Sequence, residues 1–290
     1  MEQIIANGMF LGAQYALIAL GLTLIFALMN VLNFAHGQMY VLGGCITYLV
    51  YSQLELPFVF GLASAAATLL VVGAAVEKFM FRPVLRRSAR EESSMLLAAG
   101  LAFLFDAIML ILFGQKLRAV PKIMDGIQNW GDFTVVIPND KIVIGLCIVL
   151  MIGGFIGFMQ YTRPGRAMRA LAQDRTAAQL MGVDVDRYSM LGFAVGAMLA
   201  GVAGGLLVAI VGADPVGGGP ISIKAFLMVM IGGAGVVPGA IVGGFILGMM
   251  ESFGLTYLRA YGDITYLVIF ASLMVFLSIR PQGLMGKPWG

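Results

Sequence analysis

The sequence predicts an all-α polytopic membrane protein with eight or nine transmembrane segments, arranged in two weakly repeated halves with discontinuous helices. Composition is the first observation behind this fold class. Of 290 residues, 60% are hydrophobic and 11% are charged, whereas an ordinary soluble domain carries about 25% charged residues. The second observation is that apolar segments long enough to cross a bilayer recur along the chain. The third is that a polar or glycine-rich break interrupts the apolar sequence in each half.

Six apolar segments with at most one charge each are predicted to span the membrane. A helix rises about 1.5 Å per residue and the hydrocarbon core is about 30 Å thick, so each segment is long enough. The runs are continuous rather than alternating, which excludes a transmembrane β-barrel. No Lys or Arg precedes Lys78, so the first segment lacks the basic region of a cleavable signal peptide and is predicted to be retained. The segments are Ile4–Met29, Leu56–Val76, Ser94–Phe113, Ile142–Tyr161, Leu191–Gly212 and Ile264–Ile279.

The distribution of basic residues predicts the orientation of these segments. Glu77–Glu92 and Tyr161–Tyr188 each hold five of the eighteen Lys and Arg residues, and the tail adds Arg280 and Lys287. The positive-inside rule places all three regions in the cytoplasm. The loop Gly114–Lys141 mixes acidic with basic residues and lies one span from each basic loop, so it is predicted to face outside. Counting back through three spans places the N-terminus outside as well.

We therefore expect a single transmembrane domain over residues 1–290. Its first half is 1–113, its external loop is 114–141, and its second half is 142–290. The second half includes a cytoplasmic loop at 161–190.

Two breaks, one in each half, indicate a translocation site. Residues 30–37 read NVLNFAHG between two apolar runs, and residues 231–239 read IGGAGVVPG. Broken spans in corresponding positions of two halves are a sequence signature of a transport path. Backbone groups freed by such a break need partners from protein or from water in a cavity, and polar side chains without fixed charge suit a polar solute. The predicted path residues are Asn33, Phe34, His36, Gly37, Gln38, Asp106, Gly232, Gly233, Gly235, Pro238 and Gly239.

Each of these interpretations has an alternative. The repeat is weak at the level of individual residues, and a shared composition alone would also explain it. Asn33 and His36 can instead end the first span at the cytoplasmic surface, where they would be solvated. Asp106, in the middle of LLAAGLAFLFDAIMLILFG, is either a structural group hydrogen-bonded to a neighbouring helix or a polar element of the path.

The residue inventory argues against catalysis by this chain. It has one His and two Cys, Cys45 and Cys147, each inside an apolar run, and too few intramembrane acids for a metal cluster or a nucleophilic triad. No G-x-x-x-x-G-K-[ST] motif is present, so the chain is not expected to bind or hydrolyse ATP. The net charge of +3 comes from short loops and does not indicate nucleic-acid binding.

The loop after the fourth listed span is predicted to contain two short helices beside the membrane. Pro164 can start the first helix. Asp174 can cap the second, which would end at Gly182 as a glycine that follows a helix C-terminus. Such helices suit docking into a groove on a partner, and the alternative is a loop that binds anionic membrane lipid. The residues predicted for docking are Arg166, Arg169, Asp174, Arg175, Ala178 and Gly182.

Four blocks of sequence carry a resemblance to a known family. They read YALIALGLTLIFALMNVLNFAHGQMYVLGG at 15–44, RPGRAMRALAQDRTAAQLMGVDVDR at 163–187, IKAFLMVMIGGAGVVPGAIVGGFILGMMES at 223–252 and RPQGLMGKP at 280–288. In order and spacing the chain resembles the branched-chain amino acid ABC transporter permeases, specifically their shorter subunit. The resemblance implies a multi-pass inner-membrane permease that couples to ATPases through the loop at 161–190.

The resemblance also implies partners and a substrate class. The partners are a second, longer homologous permease, two ATPase subunits that hold ATP and Mg²⁺, and a periplasmic solute-binding protein. The solute is most simply a branched-chain or related amino acid, although the family also serves urea and short amides. Two other classes remain as alternatives: an ion-coupled secondary transporter that uses Asp106, Glu251 and His36, and a small-solute channel without an energy source.

Overall fold

The computed structural model describes residues 1–87, 91–130, 135–257 and 264–286, and most of this part of the chain is helical. Helix α2 continues into a π-helical turn, Leu49–Gln53. Helix α3 continues through another, Glu77–Phe81, into α4. The helices are α1 (Glu2–Met29), α2 (His36–Tyr48), α3 (Phe58–Val76), α4 (Arg82–Arg87), α5 (Glu91–Phe113), α6 (Asn139–Tyr161), α7 (Arg163–Gln173), α8 (Arg175–Leu180), α9 (Val185–Val211), α10 (Gly218–Gly232), α11 (Val237–Tyr257) and α12 (Ile264–Ile279). Two strands, β1 (Ile127–Trp130) and β2 (Val135–Pro138), pair antiparallel.

Within the described ranges, six helices are long and apolar enough to cross a membrane. They are Glu2–Met29, Phe58–Arg87, Glu92–Phe113, Asn139–Tyr161, Val185–Val211 and Val237–Tyr257. Five of the six predicted segments fall in these long helices. The sixth, Ile264–Ile279, is the shorter α12, and α10 is a second short apolar helix. The all-α membrane architecture predicted from composition is confirmed.

The centre of the molecule consists of α1 and α9 packed against each other and against α2, α3, α10 and α11. Small residues permit the close approach. A Cβ atom on Gly43 would overlap the backbone of Gly201, and one on Gly248 would overlap the backbone of Gly12. This close packing of small residues is typical of membrane helices, because lipid chains provide no hydrophobic force between helices. Helices α5, α6 and α12 pack outside this centre and expose many apolar side chains.

The two ends of the helix bundle carry different loops. At one end, the hairpin end, Gln3 exchanges two hydrogen bonds with the backbone of Val136, and Tyr51 Oη donates to the carbonyl of Lys122 at 3.0 Å. At the other, the α7 end, Arg82 Nη2 lies 2.7 Å from Glu77 Oε2 and 3.0 Å from the carbonyl of Asp186. These contacts join α4 to the start of α9.

The break predicted at NVLNFAHG is confirmed. Helix α1 ends before Asn30, which adopts a left-handed conformation with φ 53° and ψ 36°, and residues 30–35 are not helical. Asn is among the few residues other than Gly that tolerate this conformation. The short segment then leads directly into α2 at His36.

The discontinuous helix predicted at IGGAGVVPG is wrong. Residues 233–236 form a turn between two antiparallel helices, α10 and α11, with the backbones of Gly232 and Gly239 in direct contact. Gly233 and Gly235 have φ of 107° and 80°, which an L side chain rarely adopts. A non-helical segment of the same length as the first break lies earlier, at 212–217, between Gly212 (φ 88°) and the start of α10.

Candidate functional site

The polar residues of the first break are buried. Asn33 and His36 are 0% exposed and Gln38 is 2% exposed. The alternative in which Asn33 and His36 are solvated at the membrane surface is therefore wrong. Phe34, in contrast, is 37% exposed and contacts Phe226 of α10, with ring centroids 4.8 Å apart and ring planes tilted by 52°.

Hydrogen bonds hold these buried groups in place. Asn33 Oδ1 accepts from the backbone N–H of Ala35 at 3.1 Å, one residue before α2 begins. His36 Nε2 lies 3.1 Å from the carbonyl oxygen of Ile18, in the middle of α1. Because a carbonyl oxygen only accepts, this contact requires the proton on Nε2. The start of α2 is thereby fixed against α1.

Ser222 of α10 joins the break to a second helix. Its Oγ accepts from the backbone N–H of Gly37 at 2.9 Å and lies 2.8 Å from the carbonyl of Phe34 and 3.4 Å from Gln38 Oε1. A Cβ atom on Gly37 would overlap the carbonyl oxygen of Gly218, so only glycine permits this approach. We call Phe34, Gly37, Gln38 and Ser222 the α2–α10 crossing.

Asp106 of α5 lies at the edge of the α2–α10 crossing. Gln38 Nε2 donates to Asp106 Oδ2 at 3.4 Å, a long hydrogen bond, and Asp106 is only partly buried. Asp106 and five other predicted path residues thus belong to one continuous region. The five are Asn33, Phe34, His36, Gly37 and Gln38. Ser222 and Phe226 belong to the same region and were missed, because neither stands out in an apolar sequence.

The glycine-rich set of predicted path residues lies elsewhere. Gly232, Gly233, Gly235, Pro238 and Gly239 form the α10–α11 turn at the α7 end. The C-terminal tail covers this turn: Leu284 N–H donates to the Ile231 carbonyl at 2.8 Å and Met285 N–H to the Gly232 carbonyl at 3.0 Å. The turn lies fourteen helical residues, about 21 Å, from the end of α10 that contacts Gly37. The structure therefore separates the predicted path residues into two groups.

A buried ion pair lies on another face of α10. Lys224 Nζ is 2.7 Å from Glu251 Oε1 of α11 and donates to Tyr15 Oη at 2.9 Å. Tyr15 Oη donates to Glu251 Oε2, and Tyr266 Oη donates to Glu251 Oε1 at 3.0 Å. The side chains of Lys224 and Glu251 are 20% and 6% exposed. We call Tyr15, Lys224, Glu251 and Tyr266 the ion-pair cluster; it joins α10 to α1, α11 and α12.

Sequence reasoning missed the ion-pair cluster as a unit. The signal was present, since Lys224 and Glu251 are isolated charges in apolar segments and charges in such places are rare without a partner. Nothing in the sequence indicated that the two pair with each other. Among the described residues, no group of three or more His, Cys, Asp or Glu could hold a metal ion.

The predicted docking loop forms the two short helices α7 and α8. Asp174 Oδ1 accepts from the backbone N–H of Ala177 at 2.9 Å and so caps α8, and Gly182 follows α8 with φ 84°. Both features agree with the prediction. Arg166, Arg169, Asp174, Arg175 and Gly182 are exposed, whereas Ala178 is 5% exposed and packs inward. Leu180 and Met181, 83% and 84% exposed at the end of α8, were missed as surface residues.

Comparisons with known proteins agree with this architecture. A family model described as "Branched-chain amino acid transport system / permease component" matches residues 4–277. The high-affinity branched-chain amino acid transport permease LivH of Escherichia coli K12 is 32% identical over 97% of this chain and 94% of its own length. The corresponding protein BraD of Pseudomonas aeruginosa is 32% identical over 99% and 96%.

A solved structure shares the fold at much lower sequence identity. It is PsaBC from Streptococcus pneumoniae in complex with Fab, with a TM-score of 0.51, 14% identity, and coverage of 96% of this chain and 92% of that one. At this identity the likeness concerns the fold alone. The family model and the relatives, which match nearly the whole chain, identify the family. The chain belongs to the permease components of branched-chain amino acid transport systems.

Proposed function

We propose that this chain is the permease subunit of an ATP-driven importer that carries branched-chain amino acids across the bacterial inner membrane. The observation that carries the proposal is the match to LivH and BraD over nearly the full length of all three chains. The buried polar groups of the α2–α10 crossing support it, because neutral polar groups within a membrane protein suit a small polar solute.

The proposed importer contains a second homologous permease, two ATPase subunits and a periplasmic solute-binding protein. ATP and Mg²⁺ bind to the ATPase subunits, and this chain hydrolyses nothing. Exposed α7 and α8 supply the docking surface for an ATPase, with Arg166, Asp174 and Arg175 at its face. The apolar surfaces of α5 and α12 face lipid or the second permease.

We further propose nine crossings, with the N-terminus outside and the C-terminus in the cytoplasm. The six long helices and α12 supply seven. The other two are residues 30–53 and 212–232, in each of which a six-residue non-helical segment precedes a short helix. An odd number agrees with the positive-inside rule, which assigns the α7 end, with its Arg residues, to the cytoplasm. The hairpin end is then external.

The two halves are proposed to form an inverted repeat in which α1–α3 correspond to α9–α11. Helices α1 and α9 have 28 and 27 residues, and each is followed by a residue with positive φ, Asn30 (53°) or Gly212 (88°). Each is followed by a non-helical segment of six residues and a short helix. Helix α3 packs on α9 as α11 packs on α1. Inverted repeats of this kind place the transport path between the broken spans, which is where α2 meets α10.

The proposed path passes the α2–α10 crossing, with Asn33, His36 and Asp106 beside it. The α10–α11 turn is proposed to move with the docking loop at the cytoplasmic end. Phe34 is the one member of the crossing with a large exposed surface, and it is positioned to gate the path together with Phe226.

Reconstitution tests the proposed function directly. The permease is assembled with its partner permease, ATPases and binding protein in liposomes, and uptake of leucine, urea and acetamide is measured with and without ATP. We expect ATP-dependent leucine uptake, and no ATP hydrolysis by this chain alone. Uptake of urea but not leucine would reject the substrate class, and uptake driven by a proton gradient without ATP would reject the transporter class.

A further inference from the structure

A cavity of about 670 Å³ opens at the α7 end of the bundle. Four parts of the chain enclose it: the last turn of α1, the region from the end of α6 through α7, the α10–α11 turn, and the C-terminal tail. Its volume lies within the roughly 300–1,000 Å³ of small-molecule sites. It is distinct from the α2–α10 crossing, none of whose residues lines it.

The floor of the cavity is apolar and adaptable. Leu24, Met159 and Met168 come from three different helices and are at most 6% exposed, and Met230 of α10 lies beside them. Methionine side chains are flexible and polarizable, so they fit branched aliphatic groups of different shape. The floor therefore suits an aliphatic side chain rather than a polar group.

The rim of the cavity offers both a cation and acceptors. Among the described residues that line the cavity, Arg169 has the charged side chain. One of its N–H groups donates to the Gln160 carbonyl at 3.3 Å. The other donors of the guanidinium can bind a carboxylate. The cavity is also lined by Phe26 and Ala27 in the last turn of α1, where the helix dipole is negative. The Phe26 carbonyl accepts from the backbone N–H of Asn30 at 2.8 Å and keeps a second lone pair for a further donor. Gln173 and Gln282 add amide oxygens.

We propose that this cavity binds a small zwitterion with an apolar side chain from the cytoplasmic side. Arg169 binds the carboxylate, the C-terminal end of α1 binds the ammonium group, and the methionine floor receives the aliphatic side chain. The identification of the ligand as the transported class of amino acid rests on the proposed function. The cavity joins α7 to the α10–α11 turn, so a bound amino acid holds the docking helix against the membrane helices and slows import when the cytoplasmic concentration is high.

Ala172 and Ala170 provide a matched pair of variants to test the site. Both are exposed residues of α7, but only Ala172 lines the cavity. Binding of radiolabelled leucine is measured on the assembled transporter in lipid nanodiscs without the solute-binding protein. We expect saturable binding that Ala172→Trp weakens about tenfold or more by filling the cavity, whereas Ala170→Trp leaves it unchanged. Arg169→Gln removes the guanidinium from the protein, and the alcohol leucinol lacks the carboxylate of leucine. Each change should weaken binding about tenfold.

The outcomes of the binding and import measurements distinguish the cavity site from the proposed function. Absence of saturable leucine binding, in a preparation that imports leucine with its binding protein, rejects the cavity site and leaves the proposed function intact. Equal effects of Ala172→Trp and Ala170→Trp locate the bound leucine elsewhere. Leucine binding without leucine import supports the cavity and rejects the proposed function, and the absence of both rejects the two together.

Discussion

Two sides of α10 differ in how they are held. Ser222 faces α2 through hydrogen bonds between neutral groups, whereas Lys224, two residues later and about 200° around the helix, faces α1, α11 and α12 through an ion pair. A neutral hydrogen bond can be exchanged for water or solute at little net cost. A buried charge that loses its partner has no such substitute. The ion-pair cluster therefore anchors α10, and the α2–α10 crossing leaves its other side adaptable.

This difference fits the proposed transport path. Ser222 makes one hydrogen bond with the non-helical segment at 30–35, to the Phe34 carbonyl, and one with α2, from the Gly37 N–H. A passing solute can replace these bonds one at a time. The four side chains of the ion-pair cluster instead satisfy one another. Glu251 Oε1 accepts from the Lys224 ammonium and the Tyr266 hydroxyl, and Glu251 Oε2 accepts from the Tyr15 hydroxyl. The solute is then expected to pass on the neutral side, while the charged side keeps α10 and α11 together.

The largest expected effect comes from breaking the ion pair on one side only. Lys224→Met leaves the Glu251 carboxylate buried without its cation, which should lower the free energy of unfolding by about 3–5 kcal/mol. Titration with sodium dodecyl sulfate in mixed micelles measures this. Lys122→Met, at an exposed position of the loop at the hairpin end, is the control and should change stability little.

The double variant Lys224→Met/Glu251→Leu completes this comparison. Removing both charges eliminates the unpaired group, so most of the lost stability should return. If the double variant is as unstable as Lys224→Met, the loss comes from packing and not from charge. Import by the double variant then reports whether anchoring of α10 requires the charges themselves.

The next largest effect concerns close packing at the α2–α10 crossing. Gly37→Ala places a Cβ atom against the carbonyl oxygen of Gly218 and the backbone nitrogen of Ser222, so α2 and α10 must separate. We expect a loss of about 2–3 kcal/mol in the free energy of unfolding, together with loss of import. Gly100→Ala is the matched control, because a Cβ atom there has no neighbour within 4 Å, and it should stabilise α5 by up to about 1 kcal/mol. Equal behaviour of the two variants would contradict the close approach at Gly37.

A smaller effect is expected when the hydroxyl of the α2–α10 crossing is removed. Ser222→Ala leaves the Gly37 N–H and the Phe34 carbonyl without this partner, which should cost about 1–2 kcal/mol. Ser278→Ala is the control, since its hydroxyl is exposed and bonds to the carbonyl of Met274 four residues earlier in the same helix. Ser222 lies on the adaptable side, so we expect the initial rate of leucine uptake to fall by a larger factor than the amount of assembled transporter. Both quantities are measured on the same preparation. Uptake that falls only in proportion to assembly would remove the functional distinction between the two sides of α10.

Local features of the sequence predicted much of this structure. Apolar runs located the long helices, because their length is fixed by the thickness of the membrane. The break at NVLNFAHG was visible because Asn and His are rare between apolar runs, and the caps at Asp174 and Gly182 follow from contacts within a few residues. Each of these signals depends on neighbours along the chain.

Features that depend on contacts between helices were not predictable in the same way. Lys224 and Glu251 are far apart in sequence, and their pairing depends on how α10 and α11 pack. IGGAGVVPG has the composition of a helix break and of a tight turn, and only the antiparallel contact of Gly232 with Gly239 decides between them. The non-helical segment GADPVG at 212–217 has the composition of an ordinary external loop, which concealed its likeness to the first break.

The smallest expected effect tests whether Asp106 belongs to the adaptable side. Its contact with Gln38 Nε2 is 3.4 Å long and partly exposed, and Asp106→Asn keeps the shape of the side chain and an acceptor oxygen. We therefore expect a change of no more than about 0.5 kcal/mol in the free energy of unfolding. Import is a more sensitive measurement, because a carboxylate beside the path attracts the ammonium group of an amino acid and an amide does not. Asp106→Asn should then lower the rate of leucine uptake, and Asp106→Glu should retain most of it. If both variants import leucine at the original rate, Asp106 is only a structural partner of Gln38. The contacts on the adaptable side of α10 then extend to Gln38 of α2 and do not include Asp106 of α5.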